Sequence, residues 1–170
     1  MKQNISRKEY IQLVREYAPQ VLDLTMRLLQ DRREAEDAAQ DAFVKAYEKR
    51  SSFRGESSFL TWLQRIAYHE ALDHLRRRGP YMEDIGELTI TIENEEFSTR
   101  REERILLMEE AVEELPEKDQ LLLHLFYYED RPLRDIAYIM DAEPNTLSQR
   151  LSRLRKKLFL MIKEKENEQI

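Results

Sequence analysis

The residues with the strongest chemical pattern lie toward the C-terminal end. Five bases, Arg150, Arg153, Arg155, Lys156 and Lys157, stand in a stretch with no acid between Glu143 and Glu164. At about 100° per residue, Thr146, Gln149, Arg150, Arg153 and Lys157 share one helix face, and Leu147, Leu151, Leu154 and Leu158 share another a quarter-turn away. One face packs and the other is free to meet DNA. Arg and Gln near the start of such a helix suit base edges, while bases further along suit phosphates. The bland alternative is a solvated helix on a protein-binding bundle. Upstream, Pro132 opens a short amphipathic helix marked by Leu133, Ile136, Ala137 and Met140. Asp141-Ala142-Glu143-Pro144-Asn145 comes next, and two short helices joined by about four turn residues read as a helix-turn-helix.

Patterns for catalysis fail one by one. His69-Glu70-Ala71-Leu72-Asp73-His74 approaches a zinc-protease motif, but its histidines are about 140° apart round a helix instead of the ~40° that two ligands on one face require. His124 has no neighbouring ligand set in sequence and reads as a packed or solvated side chain. With three glycines there is no phosphate loop, and pairs such as Glu109-Glu110 read as surface charge. The absence of Cys excludes disulfides, Cys-ligated zinc and thiol nucleophiles. The expectation is a non-enzyme without metal or cofactor. Glu36, Asp37, Gln40, Asp41 and Lys45 read as a solvated face, and Trp62 as core beside Phe59 and Ile66. Arg65, Tyr68, His69 and Arg76 fall on the opposite side, where an aromatic among bases could meet an unpaired strand.

These residues need elements to position them. A chain of 170 residues makes one ordinary domain or two small ones, and its formal net charge of −6 announces no nucleic-acid partner. Charge by segment says more: residues 1–79 carry +3, 80–103 carry −6 and 104–170 carry −3. The middle segment opens on Gly79-Pro80 and is rich in Glu, which reads as an acidic linker between two small domains. Within it Thr89-Ile90-Thr91-Ile92 alternates like a strand, but four residues without a partner would not hold one. In the first domain Tyr10, Val14, Tyr17, Val21, Leu24 and Leu28 mark one helix. Ala35, Ala38, Ala39, Ala42, Phe43, Ala46 and Tyr47 mark a second, whose alanines allow close approach. Phe59, Trp62, Leu63 and Ile66 begin a third that runs to Arg78. In the second domain Ile105, Met108, Val112 and Leu115 form a stripe, broken at Pro116 and resumed by Leu121, Leu122, Leu125 and Phe126. No apolar run approaches the ~20 residues of a membrane span, and the N-terminus lacks a secretory apolar core.

Three stretches, Arg33 to Tyr47, Phe53 to Ala67 and Asp73 to Arg77, resemble region two of an extracytoplasmic-function sigma factor of the sigma-70 family. Leu115-Pro116, Asp135-Ile136-Ala137 and Thr146 through Leu158 resemble its region four. The resemblance implies an all-α fold of two small domains: a three-to-four-helix region two over 1–79 and a helix-turn-helix region four over 104–170, joined by a flexible acidic linker over 80–103. It implies a dissociable subunit of bacterial RNA polymerase that directs the core enzyme to promoters and assists melting. Asp37, Gln40 and Asp41 would dock on the clamp helices of the beta-prime subunit, against their reading as a solvated face, and region four would meet the beta flap. The loop Phe53, Arg54, Gly55, Glu56, Ser57, Ser58 and Phe59, with Arg65, Tyr68, His69 and Arg76, would engage the minus-ten element and hold an unpaired base. Asn145, Thr146, Ser148, Gln149, Arg150, Arg153 and Lys157 would read the minus-thirty-five duplex. An anti-sigma factor is a further partner, and the location implied is cytoplasmic without membrane insertion. The chain has His69 where many members carry Asn, and Pro144-Asn145 and Ser148-Gln149 where the family often has Glu-Gly and Lys-Ser. Promoter preferences therefore do not transfer. The alternative is a two-domain helix-turn-helix regulator that is not a polymerase subunit, which leaves the motif order of the first domain unexplained.

Overall fold

A capping box starts the first helix. The Glu9 amide donates to the Ser6 hydroxyl at 3.2 Å and the Ser6 amide to the Glu9 carboxylate at 2.9 Å, so two amides that a helix start leaves orphaned find partners. Helix α1 (Arg7–Leu29) ends at Gln30, whose left-handed φ of 54° turns the chain and lets its amide reach the Met26 carbonyl. Asp31 caps α2 (Arg32–Lys49) through the Glu34 amide, and Ser58 caps α3 (Phe59–Arg77) through the Thr61 amide. The computed structural model describes residues 4–79 and 100–168. Most of the segment read as a linker, including Thr89 to Ile92, lies outside the described residues.

The alanine row Ala35, Ala38, Ala39, Ala42 and Ala46 is buried, and α2 packs through it against α1 and α3. Small side chains let backbones approach, and Val21, Leu24, Leu28 and Leu63 fill what remains. At one end Tyr10, Tyr47, Phe53, Phe59 and Trp62 form an aromatic cluster with centroid separations of 5.2 to 6.2 Å. Tyr10 donates to the Phe43 carbonyl, and burial pushes its phenol up to about 12.

In the second domain α4 (Arg101–Glu113) begins inside the stretch read as linker. Glu102 and Glu103 sit in its first turn, where negative charge favours a helix start. The stripe expected on α4 is corrected by the structure: Leu107 and Ala111 face the core, while Ile105 and Met108 are each 45% exposed. The helix carries two apolar rows and packs on α7, with Ile105 and Met108 lining a groove beside Leu158, Phe159 and Ile162. Helix α5 (Glu117–Leu123) continues into a π-helical turn (His124–Tyr128), α6 (Leu133–Ile139) comes after Pro132, and α7 (Pro144–Glu168) has proline at its first position. Asp141, with φ 52°, makes the turn between α6 and α7. Leu147, Leu151, Leu154 and Leu158 are buried, as their spacing predicts.

The two domains touch. Helix α3 packs on α6, and α1 on α5.

Candidate nucleic-acid interface

The loop between α2 and α3 is pinned at both ends. Phe53 and Phe59 are buried, 5.7 Å apart by centroid, and both pack on Trp62. Between these pillars Arg54, Gly55, Glu56 and Ser58 are exposed and Ser57 is half-buried. Gly55 has φ 73°, a left-handed conformation that costs other residues about 1 kcal/mol or more, so the turn that presents Arg54 and Glu56 calls for glycine. Phe53 and Phe59, expected among the minus-ten contacts, are thus the loop's anchors. The Ser58 hydroxyl is taken by the Thr61 amide at 3.1 Å.

The α3 residues divide. Tyr68, expected opposite the packed face, is 3% exposed and belongs to the core; that placement is corrected. Arg76 is exposed and paired with Asp73 at 3.3 Å. Arg65 and His69 are half-buried at the boundary with the second domain. Arg65 donates to the Tyr138 carbonyl at 2.6 Å, lies 4.6 Å over the Tyr138 ring and approaches Asp141 at 3.4 Å. His69 lies 4.0 Å from Asp141. Burial, then the neighbouring Arg65, lower its pKa despite Asp141. Tyr138 therefore stands against the side of α3 expected to meet the minus-ten element. A cleft of about 390 Å³ remains between Phe53, Arg54, Glu56, Ser57 and Trp62 on one wall and Arg134, Asp135 and Tyr138 of α6 on the other.

Behind this cleft the contact is polar and buried. Thr61 and Gln64, fully buried on α3, meet Arg131, which donates to the Gln64 side-chain carbonyl at 2.8 Å and to the Thr61 hydroxyl. Gln64 in turn donates to Glu129 at 3.4 Å. Sequence reasoning missed Thr61, Gln64, Arg131 and Tyr138, because Thr61 and Gln64 lie off the apolar stripe of α3 and carry no local signal of burial.

On α7, Asn145, Thr146, Ser148 and Gln149 are exposed, and Arg153 and Lys157 half-buried. Arg150, expected to reach a base edge, instead turns inward: its Nε and Nη2 donate to the two oxygens of buried Asp119 at 2.7 and 2.5 Å. Its guanidinium is committed to holding α7 on α5. Asp37, Gln40 and Asp41 lie together on the exposed side of α2 with Val44, which is 60% exposed, and Asp41 meets His74 at 3.2 Å. On the far side of the second domain Ile105, Met108, Leu123, Phe159 and Ile162 line an apolar groove of about 640 Å³ rimmed by Arg101, Arg104 and Arg155.

Residues 13–80 match the family described as Sigma-70 region 2, and residues 105–158 the family described as Sigma-70, region 4. The chain is similar to the RNA polymerase sigma-H factor of Pseudomonas aeruginosa, with 35% identity over 158 residues, covering 84% of this chain and 80% of that protein. It is also similar to the ECF RNA polymerase sigma-E factor of Haemophilus influenzae, with 35% identity over 164 residues and coverage of 88% and 85%. In fold it resembles the sigma factor RpoE of Bartonella quintana, solved with the anti-sigma factor NepR. The TM-score there is 0.67 at 22% identity, covering 92% of this chain and 98% of that one. CnrH, solved with the cytosolic domain of CnrY, gives 0.64 at 18% identity, covering 94% and 90%.

Proposed function

The chain belongs to the sigma-70 family as an RNA polymerase sigma factor of the extracytoplasmic-function group, and from that premise we propose how its surfaces divide the work of initiation. Asp37, Gln40 and Asp41 dock α2 on the clamp helices of the beta-prime subunit. The groove between α4 and α7 takes the beta flap, and an anti-sigma factor competes for these surfaces. Asn145, Thr146, Ser148, Gln149 and Arg153 face the minus-thirty-five duplex, and Lys157 a phosphate, with Arg150 setting the helix in place. Both partners, polymerase and promoter, put the protein in the cytoplasm. Among the described residues no helix is long and apolar enough to cross a membrane.

Melting falls to the loop between Phe53 and Phe59. Extruding a base costs a few kcal/mol, and a fitted polar site must offset that cost. The observation that carries this reading is a short polar loop held rigid at both ends by buried rings, so that Arg54, Glu56 and Ser57 meet a base without first being ordered. Elements centred about 25 base pairs apart lie about 85 Å apart along a duplex at ~3.4 Å per pair. Two domains in contact cannot serve both, so promoter engagement parts α3 from α6. Run-off transcription with core polymerase on a randomised promoter library tests the assignment. Transcripts from a defined promoter class are expected; tight promoter binding by the free protein, with no transcript from core, would establish the regulator instead.

A further inference from the structure

At the junction of the two domains, beside the Thr61–Gln64–Arg131 contact, a histidine stands between two carboxylates that come from different domains. The Nε2 of His124, in the π-helical turn, donates to Asp23 of α1 at 2.9 Å and lies 3.4 Å from Glu129. The His124 side chain is 7% exposed, and Tyr128 stacks on it at 4.8 Å and 20°. Around it α1 offers Asp23 and Arg27, the segment after the turn offers Glu129 and Arg131, and α3 offers the uncharged Gln64. We propose that protonation of His124 clasps the helix-turn-helix domain onto the first domain, so that acid favours the closed form covering the minus-ten face and alkali releases it.

A neutral imidazole supplies one weak bond, whereas the imidazolium adds attraction to both carboxylates in a partly dry junction. Desolvation by burial opposes the charged form, but the bonds to Asp23 and then Glu129 outweigh it and hold His124 above its ordinary value of 6.5. Opening removes Asp23 and wets the ring while Glu129 stays beside it in the same domain, so the open-state value is lower, toward 6.5. The closed form therefore has its full His124 stabilisation below that open-state value and loses it as pH rises through the higher closed-state value. Within that window the ratio of closed to open falls by up to about tenfold per pH unit. The His124 bond holds Asp23 below the ordinary carboxylate range, against burial and helped by Arg27. Burial raises Glu129, but His124 and Gln64 bring it lower overall. Both carboxylates thus titrate only in stronger acid. His69, at the same boundary but facing Asp141 and Arg65, is shifted down and opposes closure as it protonates. Asp23, His124 and Glu129 bring their ligand atoms within 4.8 Å of one another, a spacing that also suits a divalent cation. Yet Arg27 at 3.1 Å from Asp23 and Arg131 at 3.5 Å from Glu129 already supply cationic partners, so a proton fits the site better than a metal.

The clasp rests on the closed geometry and not on the promoter roles proposed above, so it is tested on the free full-length chain. Because the protein has no cysteine, Glu16→Cys and Glu164→Cys, both at exposed positions, place one spin label on each domain. Electron–electron distance measurements from pH 5.5 to 9, with EDTA in one series and Zn²⁺ without EDTA in a second, count closed and open molecules. A closed population that falls with a midpoint above 6.5, a profile in His124→Gln that no longer falls as pH rises, and a steeper one in His69→Asn support the proposal. Asp23→Asn, at a half-exposed site that spares the core, lowers the closed fraction at pH 6 with unchanged far-UV circular dichroism, which keeps the test valid if His124→Gln does not fold. A pH-independent population, a parental profile in His124→Gln, an unchanged closed fraction in Asp23→Asn, or closure that appears only on adding Zn²⁺ would each overturn it.

Discussion

Replacing Arg150 with Ala separates the base contact expected of it from the positioning role that its ion pair gives it. The Asp119 carboxylate is 6% exposed and Arg150 23%, and two charge-assisted bonds join them. Removing one partner of a fully buried pair costs about 3–5 kcal/mol, because the other charge stays buried without compensation. Partial access of water to Arg150 puts the expected cost at the low end, about 3 kcal/mol. At 1.4 kcal/mol per factor of ten, amide exchange along the first turns of α7 should quicken roughly a hundredfold. Hydrogen exchange resolved by peptide reads this in the full chain. Promoter binding by the reconstituted holoenzyme should weaken alike for every minus-thirty-five sequence, by as much as the competent fraction of α7 falls. Asp119→Leu combined with Arg150→Met, which removes both charges and keeps the volume, should recover most of the protection. Unchanged exchange in Arg150→Ala, together with a loss of 1–3 kcal/mol confined to one base pair, would refute the positioning argument and return Arg150 to the base-reading set.

Ser58→Ala should cost α3 about 1 kcal/mol, seen as a lower melting temperature, because it removes the cap on the Thr61 amide. Ser57→Ala should leave stability within about 0.5 kcal/mol while lowering permanganate reactivity of promoter thymines, and a premelted template should restore part of the output. Gly55→Ala should destabilise the loop by about 1 kcal/mol, measured in urea, because its φ of 73° strains any side chain. Asp37→Ala and Gln40→Ala, both exposed, should leave melting unchanged and weaken capture of core polymerase in a pull-down titration. Free protein should bind promoter DNA weakly, and core enzyme should tighten binding at one stated salt concentration, since residues 104–170 carry a net −3.

What the sequence made legible was local. The apolar spacing from Tyr10 to Leu28 marks α1, and the alanines of α2 repeat without interruption, so the first bundle could be read from its own segments. Helix α3 defeated the same reasoning, because it is covered by its own domain on one side and by α6 on another. Tyr68, Thr61 and Gln64 are buried where a one-sided stripe predicts exposure. Helix α4 carries apolar rows on two faces, and periodicity cannot say which one meets α7. Arg150 and Asp119, like His124 and Asp23, are partners brought together only by the fold, and a single sequence holds no mark of such pairs. The exposed face of α7 was the easiest to locate, because a helix with one leucine face leaves the opposite face open.

The π-helical turn His124–Tyr128 has a consequence for descent. A π turn holds one residue more than an α-helix needs for the same rise, so it amounts to an insertion absorbed without breaking the helix. Deleting one codon among Leu125 to Tyr128 would close the turn into α-helix and leave the downstream chain where it stands, since the wide turn is what absorbs the extra residue. Helix α5 would keep its core residues Leu121 and Leu122, and α6 and α7 their mutual packing. Glu129 and Arg131 would still face His124 and Gln64. A lineage can thus gain or lose a residue in this turn through one in-frame indel, with the junction between its two domains inherited intact.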